Sequence, residues 1–337
     1  MAVRVAINGF GRIGRLVLRA IVESGRSDIE VVAINDLGPI ETNAHLLRFD
    51  SVHGRFPHEV KVDGDMIAAG KFQKFKVTAV RDPAELPHRE MGVDIVLECT
   101  GIFTSRDKAA QHLAAGAKKV IISAPGDGAD YTMVMGVNDH GLRKEHVVIS
   151  NGSCTTNCLA PVAKVVQDLV GIERGFMTTI HSYTGDQPTL DTLHKDLYRA
   201  RAAAINSIPT STGAAKAIGL VIPELAGKLD GSSIRVPTPC VSLIDLKIDA
   251  GWSTSKDEIN AAFNKAAAEG PLKGILAVTN QPNVSSDFIH DAHSATFHLD
   301  QTKVIGGTFV RVVAWYDNEW GFSNRMADAT MALAATL

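Results

Sequence analysis

The chain has 337 residues, 45% of them hydrophobic and 21% charged, with a formal net charge of -3. That is enough for two domains and a sizeable core. It excludes any global attraction for nucleic acid or an anionic membrane as the primary partner, and no apolar run reaches bilayer-spanning length. Strand and turn signals begin almost at Met1, so no signal peptide is expected. The cysteines, Cys99, Cys154, Cys158 and Cys240, lack the paired spacing of a zinc site. The expectation is a cytoplasmic protein without a metal.

Val3, Val5 and Ile7 alternate as in a strand, and Gly9-Phe-Gly11-Arg-Ile-Gly14 follows at once. A helix is predicted over Arg15 to Glu23, then a strand over Val31 to Ile34 ending in Asn35-Asp36. Strand, G-x-G-x-x-G, helix, strand and acid in that order point to a dinucleotide site. The glycines serve the tight turn, the approach of backbone to pyrophosphate, and close packing of helix on strand, with the pyrophosphate on the helix N-terminus. The competing reading is a glycine-rich turn in a nucleotide-unrelated α/β domain. Asp36 is placed to accept the adenosine ribose hydroxyls and favours NAD over NADP, because a carboxylate repels a 2′-phosphate. After an irregular stretch to Leu86, Asp94 to Cys99 reads as a buried strand, Thr104 and Ser105 as the start of a helix ending near Gly116, and Lys119 to Ser123 as another strand. Such alternation implies a parallel sheet with ligands at the strand C-termini. Ser123 and the Arg81 loop either border the cofactor or are plain turns.

Val147 to Ile149 leads into Ser150-Asn-Gly-Ser-Cys-Thr-Thr-Asn-Cys158, and Leu159 to Val170 is helix-like, with Pro161 near the first turn. Cys154 therefore stands where a strand hands over to a helix N-terminus, which favours thiolate. A small buried residue is the alternative. Beyond it the pattern changes to long strand-like runs, Gly175 to Tyr183, Ile234 to Val236 with Val241 to Leu246, Ala295 to Leu299 and Thr308 to Trp315, with one clear helix over Ser255 to Ala268. The predicted fold is α/β: a Rossmann doubly wound parallel sheet over 1–152, then an α+β catalytic domain with a mostly antiparallel sheet over 153–318. A last helix, about 319–337, is expected to pack back on the first domain. Gly185 to Ala203 is a long charged loop of the functional or interfacial kind.

A dinucleotide site together with an activated thiol suggests aldehyde oxidation through a thioester, with His181, at a strand end before Ser182 and Tyr183, as the base. Activating the thiol alone gains little. Lowering its pKa from ~8.5 to ~6 raises the thiolate fraction about thirtyfold but costs roughly tenfold in nucleophilicity.

Asn8 to Arg15, Ser150 to Cys158, His181-Ser-Tyr-Thr-Gly-Asp-Gln187, Arg199-Ala-Arg, Pro209-Thr-Ser-Thr-Gly-Ala-Ala-Lys216, Arg235-Val-Pro-Thr-Pro239 and Trp315-Tyr-Asp-Asn-Glu-Trp-Gly-Phe-Ser323 together resemble phosphorylating glyceraldehyde-3-phosphate dehydrogenase, in order along the whole chain. The resemblance implies Cys154 as nucleophile and His181 as its activator and base. It implies that Thr184 and Arg235 hold the substrate's C3 phosphate, and that Ser153, Arg199, Thr212 and Gly213, with Thr155 beside the nucleophile, hold inorganic phosphate. On the NAD side it points to Gly9, Gly11, Arg12, Ile13, Gly14, Asp36, Arg81, Ser123 and Asn318, the last on the nicotinamide carboxamide. It further implies a homotetramer, with 185–203 near a neighbour's cofactor. Gly152 replaces the family's usual alanine, which is expected to loosen the turn. Phe322 replaces a common tyrosine, and Thr192-Leu193 matches neither the NAD-specific nor the photosynthetic pattern. The competing functions are erythrose-4-phosphate dehydrogenase and a non-catalytic NAD-binding interaction protein.

Overall fold

The computed structural model describes residues 2–71 and 73–337. The chain divides into two compact units. One is Met1–Met133 with Asp139–Gly152 and Ser323–Leu337, the other Val134–Asn138 with Ser153–Phe322. Among the described residues no helix is long and apolar enough to cross a membrane.

The first unit is built on a nine-stranded sheet. Val3–Asn8 lies between Ile29–Asn35 and Ile95–Glu98, parallel to both. Gln73–Thr78 continues the parallel sheet beyond Ile29–Asn35, and Lys119–Ile122 and Val148–Ser150 continue it beyond Ile95–Glu98. Toward the edge, Met66–Ala69 runs antiparallel to both its neighbours, Gln73–Thr78 and Val60–Asp63, and among the described strands of this sheet it is the one reversed. The chain therefore leaves Val3–Asn8 toward one side and returns on the other, which opens a crevice at the C-terminal end of that strand. The helix after the glycine turn, Arg12–Glu23, begins three residues earlier than its apolar pattern suggests and buries Leu16, Val17, Ala20 and Ile21. The single helix expected from Thr104 to Gly116 is two short pieces, Arg106–Ala109 and Gln111–Ala114. Ser105 makes no cap hydrogen bond, and the ladder tightens at Ala110, whose carbonyl accepts Leu113 N–H at 2.9 Å.

In the second unit Ile172–Ser182 pairs parallel with Leu229–Val236 and antiparallel with Ser242–Ala250, and the sheet continues through Phe309–Tyr316 and Ala295–His298 to Leu276–Thr279. Along Ser242–Ala250 every second residue is buried, so Ile244, Leu246 and Ile248 face a core that holds Leu159, Val162, Ile259 and Phe263. A capping box starts the helix Lys256–Ala268: Ser255 Oγ accepts Glu258 N–H at 3.2 Å, and Glu258 Oε2 accepts Ser255 N–H at 2.8 Å. Nothing in the sequence marks Val134–Asn138 as part of this unit. Val134 and Val137 nevertheless lie in its core, and a Cβ on Gly136 would meet the Pro271 carbonyl at 2.6 Å.

Candidate active site

In the first unit, Gly9 adopts φ +88°, and a Cβ there would lie 2.7 Å from the Thr100 nitrogen. A Cβ on Gly14 would fall 2.1 Å from the Gly9 carbonyl, whereas one on Gly11 would meet nothing within 4 Å. Gly9 and Gly14 thus permit the turn and its packing, and Gly11 faces open space. Gly11 caps the helix without a side-chain hydrogen bond, at the end whose partial positive charge favours an anion. The turn borders a cavity of about 480 Å³ whose lining includes Gly9, Gly11, Asp36, Arg81 and Thr100. Asp36 accepts Phe10 N–H at 3.0 Å and Gly38 N–H at 2.9 Å, which pins its carboxylate at the cavity edge. Arg12 pairs with Asp50. Burial opposes ionisation of that carboxyl, but the His53 and Val52 amides and Arg12 hold its pKa down to about 2. Ile13 is half-buried on the helix. Ser123 donates its backbone N–H to the Glu98 carbonyl at 3.0 Å, and its hydroxyl bonds the Cys99 thiol, which burial pushes up to about 12.

In the second unit, Ser153 is the N-cap of the helix Cys154–Val170, its hydroxyl accepting Thr156 N–H at 3.0 Å. Cys154 is therefore the first helical residue. Pro161 lies well inside this helix rather than near its start, and cannot donate to the carbonyl four residues back. Gly152 before it has φ +65° and donates its N–H to Ser150 Oγ at 3.0 Å. Glycine fits this left-handed turn without strain rather than loosening it.

His181, near the end of Ile172–Ser182, brings Nε2 to 3.6 Å from Cys154 Sγ. Its Nδ1 lies 2.7 Å from the Ser182 carbonyl. A carbonyl only accepts, so Nδ1 carries the hydrogen and Nε2 presents a lone pair to the thiol. The Tyr316 ring stands edge-on to the imidazole, 6.0 Å between centroids, and the Tyr316 hydroxyl bonds those of Thr155 and Thr179, each at 2.9 Å. Asn318 Oδ1 accepts the hydroxyls of Ser182, at 2.9 Å, and Ser242, at 3.2 Å, which fixes the amide orientation. Arg235 donates to Thr184 Oγ1 at 2.8 Å and to the Ser182 carbonyl at 3.1 Å, while its Nε is buried without a partner. Arg199 donates to Asp186 at 3.1 Å and to Thr210 Oγ1 at 3.1 Å, and Thr184 donates to the other Asp186 oxygen.

Two family models match the chain: the NAD binding domain of glyceraldehyde 3-phosphate dehydrogenase over residues 3–106, and its C-terminal domain over 153–318. Curated glyceraldehyde-3-phosphate dehydrogenases from Xanthobacter flavus and Cereibacter sphaeroides are 75% and 68% identical to it, covering 99% and 100% of both chains. The enzyme of that name from Zymomonas mobilis is 57% identical over the full length of both. The chain belongs to the glyceraldehyde-3-phosphate dehydrogenase family.

In this family member the sequence-derived site residues fall into distinct settings. Cys154, His181, Thr184 and Arg235 form one cluster through the contacts above. Arg199 joins it through Asp186. Thr212 and Gly213 open a separate helix, Ala214–Val221, where Thr212 Oγ1 accepts Ala214 N–H at 3.2 Å. Thr155 is buried, its hydroxyl bonded to that of Tyr316, and both its side chain and its backbone hydrogen-bond the thiol. Sequence reasoning missed Asp186 and Tyr316, though both stand inside quoted motifs. A lone Asp between Gly185 and Gln187 and a Tyr ending a strand carry no pattern of their own.

The thiol departs from expectation. Burial pushes the Cys154 pKa up, against the Arg235 charge and the Thr155 hydrogen bonds that favour thiolate. Burial and then the Arg235 charge push His181 down to about 3. His88 in the first unit is likewise pushed down to about 4, by burial and then by His112. Both histidines ionise more readily in the unfolded chain, near 6.5. Their contribution to stability is complete above pH 6.5 and falls as pH drops toward 4. Denaturant titrations across this range should show that decline, with a shallower one in His88→Gln. A flat profile would contradict the assignment.

Proposed function

We propose that the protein catalyses the reversible NAD-dependent oxidative phosphorylation of D-glyceraldehyde 3-phosphate to 1,3-bisphosphoglycerate. The observation that carries this is the Cys154–His181 pair, with Nε2 of a tautomerically fixed imidazole facing the thiol at 3.6 Å. His181 takes the thiol proton as sulfur bonds to the aldehyde carbon. It returns that proton to the former carbonyl oxygen, which completes the hemithioacetal hydroxyl, and takes it back as the carbon loses hydride. NAD, when bound, accepts the hydride. The Thr155 N–H and the start of the cysteine helix support negative charge at the reacting centre. The resulting thioester is attacked by a phosphate oxygen, and the sulfur leaves as thiolate to regenerate the site.

Arg235 and Thr184 hold the substrate's C3 phosphate. Ser153, Arg199, Thr212 and Gly213 hold the attacking phosphate, by hydroxyl, guanidinium and backbone N–H donors suited to it. Gly9, Gly11, Arg12, Ile13, Gly14, Asp36, Arg81 and Ser123 form the NAD site, and Asn318 orients the carboxamide through its NH2 edge. The assembly is a homotetramer: in the run 185–205, Leu190, Leu193, Leu197 and Ile205 are exposed, Leu193 by 99%, and an apolar set of that kind suits a subunit interface. The four cysteines are free thiols, which suits a reducing cytoplasm.

The test is NADH formation from glyceraldehyde 3-phosphate with and without inorganic phosphate. Turnover should depend on phosphate, and undiminished turnover without phosphate or arsenate would rule out the phosphorylating step. Comparing erythrose 4-phosphate as substrate separates the related dehydrogenase.

A further inference from the structure

Four donors converge on one buried carboxylate in the first unit. Glu98 is 1% exposed and closes the strand Ile95–Glu98. Its Oε1 accepts the Thr100 N–H at 2.8 Å and also the Thr100 hydroxyl. Its Oε2 accepts Asn8 Nδ2 at 2.6 Å and His112 Nε2 at 3.0 Å. His112 is wholly buried, and its Nδ1 lies 3.0 Å from His88 Nε2.

The polarity set by this carboxylate runs outward. Because Asn8 spends its NH2 on Glu98, its carbonyl oxygen is the atom that accepts Asn35 Nδ2, at 2.7 Å. That fixes the Asn35 amide in turn. Its oxygen accepts the Thr78 hydroxyl and the Val80 N–H, each at 2.9 Å, and its Nδ2 donates to the Val80 carbonyl at 2.8 Å. On the other arm the Thr100 hydroxyl, having donated to Glu98, accepts the Ile102 N–H at 3.0 Å. Asn8, Asn35, Val80, Thr100 and Ile102 all line the 480 Å³ cavity.

We infer that Glu98 is a positioning residue for the cofactor: by accepting from Asn8 and Thr100 it fixes the two loops that bound the dinucleotide cavity, 78–81 and 100–102. The inference rests on reading that cavity as the NAD site. An ionised carboxylate only accepts, and all four of its neighbours here donate. Glutamine has the same shape but turns an NH2 toward one pair of those donors. If Asn8 flipped its amide to accommodate it, its NH2 would then face the Asn35 NH2. No rearrangement of side-chain amides satisfies every partner.

The experiment is the NAD dissociation constant of the purified full-length protein with Glu98→Gln, measured by calorimetry well below the unfolding temperature. Alongside it come KM for each substrate and the rate of Cys154 alkylation without cofactor. The expected result is an NAD affinity about tenfold weaker, with KM for NAD raised to match. KM for glyceraldehyde 3-phosphate and the alkylation rate should stay within about twofold of wild type. A variant that melts earlier but binds NAD as tightly as wild type would overturn the inference, as would equal losses in all four quantities. Should Glu98→Gln fail to fold, Thr100→Val removes one arm and keeps the carboxylate; it should weaken NAD severalfold, and unchanged affinity there would overturn the inference. Absence of NAD binding by the wild type would instead refute the reading of the cavity.

Discussion

Cys154→Ser should lower the phosphorylating oxidation by roughly 10⁴-fold or more. The thiol already stands at a disadvantage, since burial raises its pKa. It reacts because sulfur is intrinsically nucleophilic and because Nε2 at 3.6 Å can receive its proton during attack. A serine hydroxyl in the same place is far less acidic and is driven by an imidazole whose own basicity burial has reduced. The second half-reaction suffers too, because an oxygen ester yields less readily to phosphate than a thioester. NADH formation under saturating aldehyde, NAD and phosphate measures the loss, and NAD binding by the variant checks that the fold is intact. Activity within tenfold of wild type would rule out the thioester route.

His181→Asn should cost roughly 10³-fold in the same assay, in the middle of the range for loss of a general base. In the proposed mechanism the imidazole serves two proton abstractions at one position, and the Ser182 carbonyl holds it in the tautomer both would require. Asparagine offers no titratable nitrogen. The variant should also change how the thiol meets alkylating agents. Without an acceptor for its proton, Cys154 reacts only as it ionises unaided, so the alkylation rate should climb at higher pH than in wild type, in line with the raised thiol. An unchanged pH profile would show that the pair at 3.6 Å is not coupled in solution.

Local pattern carries information where backbone geometry demands particular residue types. The glycines of the first turn are legible because two of them stand where a Cβ would strike backbone within 3 Å, and Ser153 is legible because a helix start needs a cap. Period-two alternation likewise exposes Ser242–Ala250. Legibility fails where a residue's role comes from distant partners. Glu98 meets Asn8 across 90 positions and His112 across 14, and Thr155 meets Tyr316 across 161. No spacing rule encodes such pairs. Boundaries also shifted where a good local signal lost to packing, as in the broken helix after Thr104 and the interior Pro161. The thiol shows the same limit in its electrostatics: helix polarity can be read from a string of letters, whereas withdrawal from water depends on everything packed around the site.

Asp186 has a consequence for how oxyanions compete here. Its carboxylate already takes hydrogen bonds from Thr184 and Arg199, and although partial burial resists its ionisation, Thr184, Arg199 and Arg235 hold it below the usual carboxylate range. The resting pocket is thus not a bare pair of guanidinium charges awaiting a dianion, but a patch with part of its positive field cancelled from within. In the proposed reaction an arriving phosphoryl group would share or break those contacts, so its occupancy should be reversible and sensitive to ionic strength.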